Sequence, residues 1–139
     1  MPLQKIVVRY RDGQMMKGHT TNFFPSAPTF MLEPEGAAPG SPPVSVSVRE
    51  LKAVFFVKDF AGQKGHVKRN AFAGHQPYEG RRIKVTFTDG ETMLGATPQY
   101  DGRALGFFVF PADMDANTTK AFIVNGAIRA VEFPQPAIR

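Results

Sequence analysis

The residues best placed to do chemistry fall into a few short clusters. Gly13-Gln14-Met15-Met16-Lys17-Gly18-His19-Thr20 has the two glycines and the terminal hydroxyl of a phosphate-cradling loop. Such a loop needs a lysine just before the hydroxyl and a place between a strand and a helix, so that a cation and backbone N–H groups meet the phosphates together. His19 stands at the lysine position, and the segment leaves a turn signal to run on as a strand, so nucleotide binding is not expected. Asp113, Asp115 and Asn117 have the spacing that opens a calcium loop. Thr118, however, stands where the sharp turn requires glycine, and Val124 where a glutamate would close the shell. His19, His66 and His75 make no i, i+4 pair and there is no cysteine, so no metal site is expected. Neither a nucleophile elbow nor a dinucleotide fingerprint occurs. The expectation is a protein that is not an enzyme, with no catalytic residues and no cofactor.

One segment has more functional colour. Between Lys58 and Lys84 there are seven basic residues against two acidic ones, which accounts for the whole net charge of +5. Lys64, Lys68, Arg69, Arg81 and Arg82 interleave there with Phe72 and Tyr78. Cations beside flat rings suit single-stranded nucleic acid, because phosphates meet the charge and bases stack on the rings. The plainer reading of the same residues is a solvated linker whose rings pack back on its neighbours.

The elements around that linker repeat. Lys5–Phe23 laid over Arg82–Tyr100, an offset of 77, gives identities at Ile6/Ile83, Val8/Val85, Asp12/Asp89, Gly13/Gly90, Met16/Met93, Gly18/Gly95 and Thr20/Thr97. Leu51–Phe56 parallels Ile128–Phe133 at the same offset, while Phe30-Met31-Leu32 matches Phe108-Val109-Phe110 after a one-residue length change. Ile6, Val8 and Tyr10 alternate with Val7, Arg9 and Arg11, the period of a half-buried strand. Asp-Gly then marks a hairpin, and Gly18 or Gly95 within the return strand marks a bulge or bend. Further strands are expected at Thr29–Glu33, Val44–Val48 and Lys52–Val57, with Phe107–Phe110 as the third strand of the second half.

The resulting expectation is an all-β chain of two tandem small five-stranded SH3-like or Sm-like barrels related by internal duplication. Residues 1–58 form the first, 59–79 a basic and aromatic linker, and 80–139 the second. With 13 Gly and 12 Pro, the composition favours short strands and turns over long helices. Thirteen Phe exceed what two such small interiors need, so Phe23, Phe24, Phe55, Phe107 and Phe133 are expected at an interface between the halves. The N-terminal stretch lacks an apolar signal region and no long apolar run occurs, so a soluble, cytoplasmic protein with no membrane contact is expected.

Val8–Gly13, Lys17-Gly18, Glu50–Phe60 and Gly106–Asp113 resemble an uncharacterised bacterial domain family. The resemblance implies no known activity; members of that family sometimes accompany signalling or PilZ-type domains. The PilZ dinucleotide pattern itself, an Arg-rich box followed by Asp/Asn-x-Ser-x-x-Gly, is not found here. Each half is also similar to the Sm/LSm fold. That likeness implies RNA-gripping positions at Asn22 and Phe23, and at Asn125 and Gly126. Asn125 replaces the arginine of that family's second motif, and the first half has Val48-Arg49-Glu50 there, without glycine. The functional expectation is a non-enzymatic binding or scaffold module acting through protein contacts, with a protein partner or self-association. Single-stranded nucleic acid is the alternative partner, and a cyclic-dinucleotide or other small ligand a minor one.

Overall fold

The structure, a computed structural model, describes residues 3–60, 80–112 and 117–134. Ten strands account for most of it: β1 (Gln4–Tyr10), β2 (Met15–Thr20), β3 (Thr29–Pro34), β4 (Val44–Ser47) and β5 (Leu51–Val57), then β6 (Arg81–Phe87), β7 (Thr92–Thr97), β8 (Gly106–Pro111), β9 (Thr118–Val124) and β10 (Ile128–Glu132). Short 3₁₀ turns at Val48–Glu50 and Asn125–Ala127 precede β5 and β10. The chain is all-β, one antiparallel sheet in the order β10-β6-β7-β8-β9-β5-β1-β2-β3-β4.

The hairpins follow from local chemistry. Asp12 Oδ1 accepts the Gln14 N–H at 3.0 Å, and Asp89 Oδ1 accepts that of Glu91 at 2.9 Å. Gly13 and Gly90 turn the chain at φ +97° and +91°, where a side chain is strained. Gly18 and Gly95 answer a different need. The β2–β3 and β7–β8 pairs cross closely there, so a Cβ on Gly18 would overlap the Glu33 carbonyl and one on Gly95 the Phe110 carbonyl. What these positions require is room for the neighbouring strand's backbone.

The 77-residue offset recurs in the contacts of the described strands. Thr20 Oγ1 donates to Met31 O at 2.9 Å, and Thr97 Oγ1 to Phe108 O at 2.8 Å. Gly18 pairs with Pro34 as Gly95 pairs with Pro111. Phe30 therefore matches Phe107 and Leu32 matches Val109, all buried. The one-residue length change expected between the halves is not present.

Closed barrels were expected, and the sheet is not closed. Closure within the first half would set β5 against β4, but the outer edge of β5 is taken by β9, from Ala53↔Ile123 to Val57↔Thr118. β4 is also short, starting only after Pro42-Pro43, and proline has no N–H to extend a ladder.

The β5–β9 pair is a partition between two cores. Val54, Phe56, Phe122 and Val124 face the core built on Ile6, Val8, Phe30 and Leu32. Ala53, Phe55, Ala121 and Ile123 face the core built on Ile83, Val85, Phe87 and Phe107. Strand alternation sends successive residues to opposite faces, so each half completes the other's interior. Phe23 joins this partition edge-on to Phe122 and Phe108, with ring centroids at 5.1 and 6.3 Å. Phe55 and Phe107 pack in the second core, Phe133 stacks under Arg81, and Phe24 is 59% exposed. The interface expected of these rings thus holds for some of them and fails for Phe24.

Polar contacts lock the partition. Lys52, 5% exposed on β5, reaches across to the β6–β7 turn. Its Nζ lies 2.8 Å from Asp89 Oδ2, bonds Glu91 Oε1, and sits 4.6 Å from the Phe87 ring centroid. The Lys52 hydrogen bond, with the Glu91 backbone N–H next, holds the Asp89 carboxyl below its ordinary value of 3.8.

Candidate functional site

The turns at one end of the partition bring together arginines that are distant in sequence. Arg11 leaves β1 beside the Asp12-Gly13 turn, its N–H bonded to Glu50 O at 3.0 Å. Arg49 lies in the first 3₁₀ turn, and Arg103 in the β7–β8 loop, where its N–H reaches Asp101 Oδ1 at 2.9 Å. With Leu105, Asn125 and Gly126 they line a cavity of about 420 Å³. Gly126 leaves room for Arg11, whose guanidinium is the nearest group to a Cβ built there, at 3.3 Å. Acids also bear on this end: burial first, then the Glu50 and Asp12 charges, push the Tyr10 hydroxyl above its usual range. Planar guanidiniums converging on one hollow suit a phosphate or carboxylate.

A second hollow of about 350 Å³ lies along the partition, with an apolar floor of Val7, Phe55, Met93 and Phe60 and cations Arg9 and Lys17 at its rim. Lys17 Nζ donates to Phe60 O at 2.8 Å, and His19 meets the Phe60 ring edge-on at 5.2 Å. Lys17 is thereby engaged in holding the chain as it leaves β5.

The residues singled out in the sequence fare differently. Lys64, Lys68, Arg69, Phe72 and Tyr78 lie outside the described residues, as do His66, His75, Asp113 and Asp115. Arg81 stacks on Phe133, its guanidinium carbon 3.9 Å from the ring centroid, while Arg82 is half-buried on β6. Asn22 Oδ1 accepts the Met31 N–H at 3.0 Å, and Phe23 packs among Phe30, Phe56, Phe108 and Phe122. Asn125 Nδ2 donates to Asp101 O at 2.8 Å and Ala104 O at 2.9 Å. Asn22, Phe23 and Asn125 therefore hold their own loops, and of these positions Asn125 and Gly126 border the arginine cavity. Among the described residues no group of His, Asp and Glu could hold a metal ion, and no helix is long and apolar enough to cross a membrane.

A family model of unknown function, DUF6982, matches residues 3–134. The chain belongs to that family. No curated protein and no solved structure matches it. The match spans both halves of this DUF6982 chain.

The feature that sequence reasoning missed in the DUF6982 chain is the state of its two sheet edges. On β10, Arg129 and Ala130 are exposed. Their counterparts 77 residues earlier, Lys52 and Ala53, are buried. The arginines of the cavity escaped notice as well, because they come from separate segments and make no local pattern.

Proposed function

We propose that this chain is a non-enzymatic binding or scaffold module that acts through protein contacts at the ends of its sheet. One observation carries the reading: β10 leaves exposed the positions that β5 covers with a partner strand. An open edge offers main-chain N–H and C=O groups to an incoming strand, a recurrent mode of protein recognition. We read the two halves as descendants of one Sm-like or SH3-like unit. The repeated order β5-β1-β2-β3-β4 and β10-β6-β7-β8-β9 supports this, as do backbone bonds recurring at the same offset, such as Val48 N to Pro28 O and Asn125 N to Leu105 O.

The test is retention of proteins from an untreated extract by the wild-type chain and by Ala130→Arg. Retention by wild type that the variant loses is the expected result. A wild-type chain that holds no protein above background would overturn the reading.

The arginine cavity favours a second reading, single-stranded nucleic acid. Phosphates would meet Arg11, Arg49 and Arg103, with the basic segment before β6 adding charge. Fluorescence anisotropy with a labelled single-stranded RNA at two salt concentrations tests it. Affinity unchanged in an Arg49→Ala/Arg103→Ala double variant would remove the cavity from consideration.

A further inference from the structure

The β5–β9 junction has two sides, and each has a counterpart 77 residues away whose outer edge takes no strand among the described residues. β10 corresponds to β5, β4 corresponds to β9, and these two strands end the sheet. Moved by that offset, the pairs Ala53↔Ile123, Val54↔Phe122 and Phe55↔Ala121 become Ala130↔Val46, Val131↔Ser45 and Glu132↔Val44. Within one chain β10 and β4 lie at opposite ends, so only a second molecule can bring them together.

The side chains match as well. Lys52 binds Asp89 across the internal junction, and the corresponding pair is Arg129 and Asp12, again of opposite charge. Among the described residues Arg129 makes no ion pair. Among the same residues Asp12 Oδ2 accepts a local bond from Gln14 Nε2 at 3.2 Å, on the atom that Lys52 engages in Asp89.

We infer that β10 of one chain pairs with β4 of a second copy, reproducing between molecules the junction found within each. This rests on the protein-contact reading above and names the partner as the chain itself. An unrelated strand would meet the same backbone edge but would not set an acid opposite Arg129. The contact is weaker than its internal template. Asn117, which accepts the Lys58 N–H and holds Asp59, has Gly40 at its counterpart, and Thr119 and Lys120 have Pro42 and Pro43. Those prolines stop the ladder after a few residues and keep the edge from joining strands indiscriminately. So short a contact belongs with the small interfaces, those burying less than about 1,200 Å², whose partners associate weakly. Because its two sides differ, it joins molecules head to tail, and the rotation per step decides between a ring and a filament.

Sedimentation velocity of the purified full chain over a wide concentration series tests the inference. Wild type should form species larger than a monomer as concentration rises. Ala130→Arg, which puts bulk where Ala53 is covered, should lower the association constant about tenfold or more, with an unchanged melting temperature. Arg129→Asp should also weaken association, and adding Asp12→Arg should restore it. A wild-type chain that stays monomeric throughout would overturn the inference, as would Ala130→Arg associating like wild type. A monomeric wild type that still retains other proteins through the Ala130 edge would refute self-pairing alone and leave the protein-contact reading standing.

Discussion

Replacing Phe122 with alanine asks whether the two halves stand or fall together. The ring is 1% exposed, lies opposite Val54 in the β5–β9 ladder, and meets Phe23 and Phe108 edge-on at 5.1 and 5.3 Å. It belongs to the second half in sequence but fills the core of the first. Burying about 200 Å² of ring at about 25 cal/mol per Å² is worth about 5 kcal/mol, of which alanine's methyl keeps a part. Core Phe→Ala changes cost about 3–5 kcal/mol, so we expect about 4 kcal/mol. For a chain of this length that is a fall of about 12–16 °C in melting temperature. Urea unfolding followed by circular dichroism and by near-ultraviolet absorbance should show one transition in both proteins, moved as a whole in the variant. Phe24→Ala, at an exposed ring, should stay within about 0.5 kcal/mol of wild type. Two resolved transitions, with only one of them shifted by Phe122→Ala, would refute the partition as a shared structural member. So would a loss below about 1 kcal/mol.

Gly95→Ala should cost about 1–3 kcal/mol in the same urea assay, because the new Cβ meets Phe110 O and Val109 Cγ1 in a packed crossing. Gly13→Ala should cost about 1–2 kcal/mol from its positive φ alone, since nothing lies within 4 Å of the new carbon. Asn125→Ala removes the two bonds that hold the Asp101–Ala104 loop, and should speed amide exchange at Arg103 to Leu105 in a hydrogen-exchange experiment. Asp89 has a folded-state pKa below its ordinary 3.8, so the stability it contributes is present above that value and is lost as pH falls through the lowered folded one. The gap in melting temperature between wild type and Asp89→Asn should therefore hold steady from neutral pH down to that region and close below it. A gap that widens in acid would contradict the Lys52–Asp89 assignment.

The strands were legible because Ile6, Val8 and Tyr10 alternate with outward residues and Asp-Gly fixes the turns. The pairing of β5 with β9 was not. A strand with a different core on each face has no polar side to alternate, so Ala53–Val57 and Ala121–Val124 read as plain apolar runs. The alignment of β3 on β8 went astray for a related reason. Phe107 and Phe108 both match Phe30 in kind, and only the threonine hydroxyls of Thr20 and Thr97, reaching Met31 O and Phe108 O, decide the register. The arginine cavity depends on how 3₁₀ turns and loops from both halves meet, which no single window of sequence contains. Asn22 and Asn125 look like ligand-binding amides in sequence because a loop clamp and a base contact ask for the same side chain.

The partition also has a consequence for synthesis. β5 is complete about sixty residues before β9 leaves the ribosome, so for several seconds of elongation the run Leu51–Val57 has one edge and one apolar face bare. That run is rich in β-branched and aromatic residues and its single charge is Lys52, whose acidic partners Asp89 and Glu91 also arrive later. It is the segment most exposed to sticking to a neighbouring nascent chain, and a holdase that binds extended apolar stretches would find its first target there.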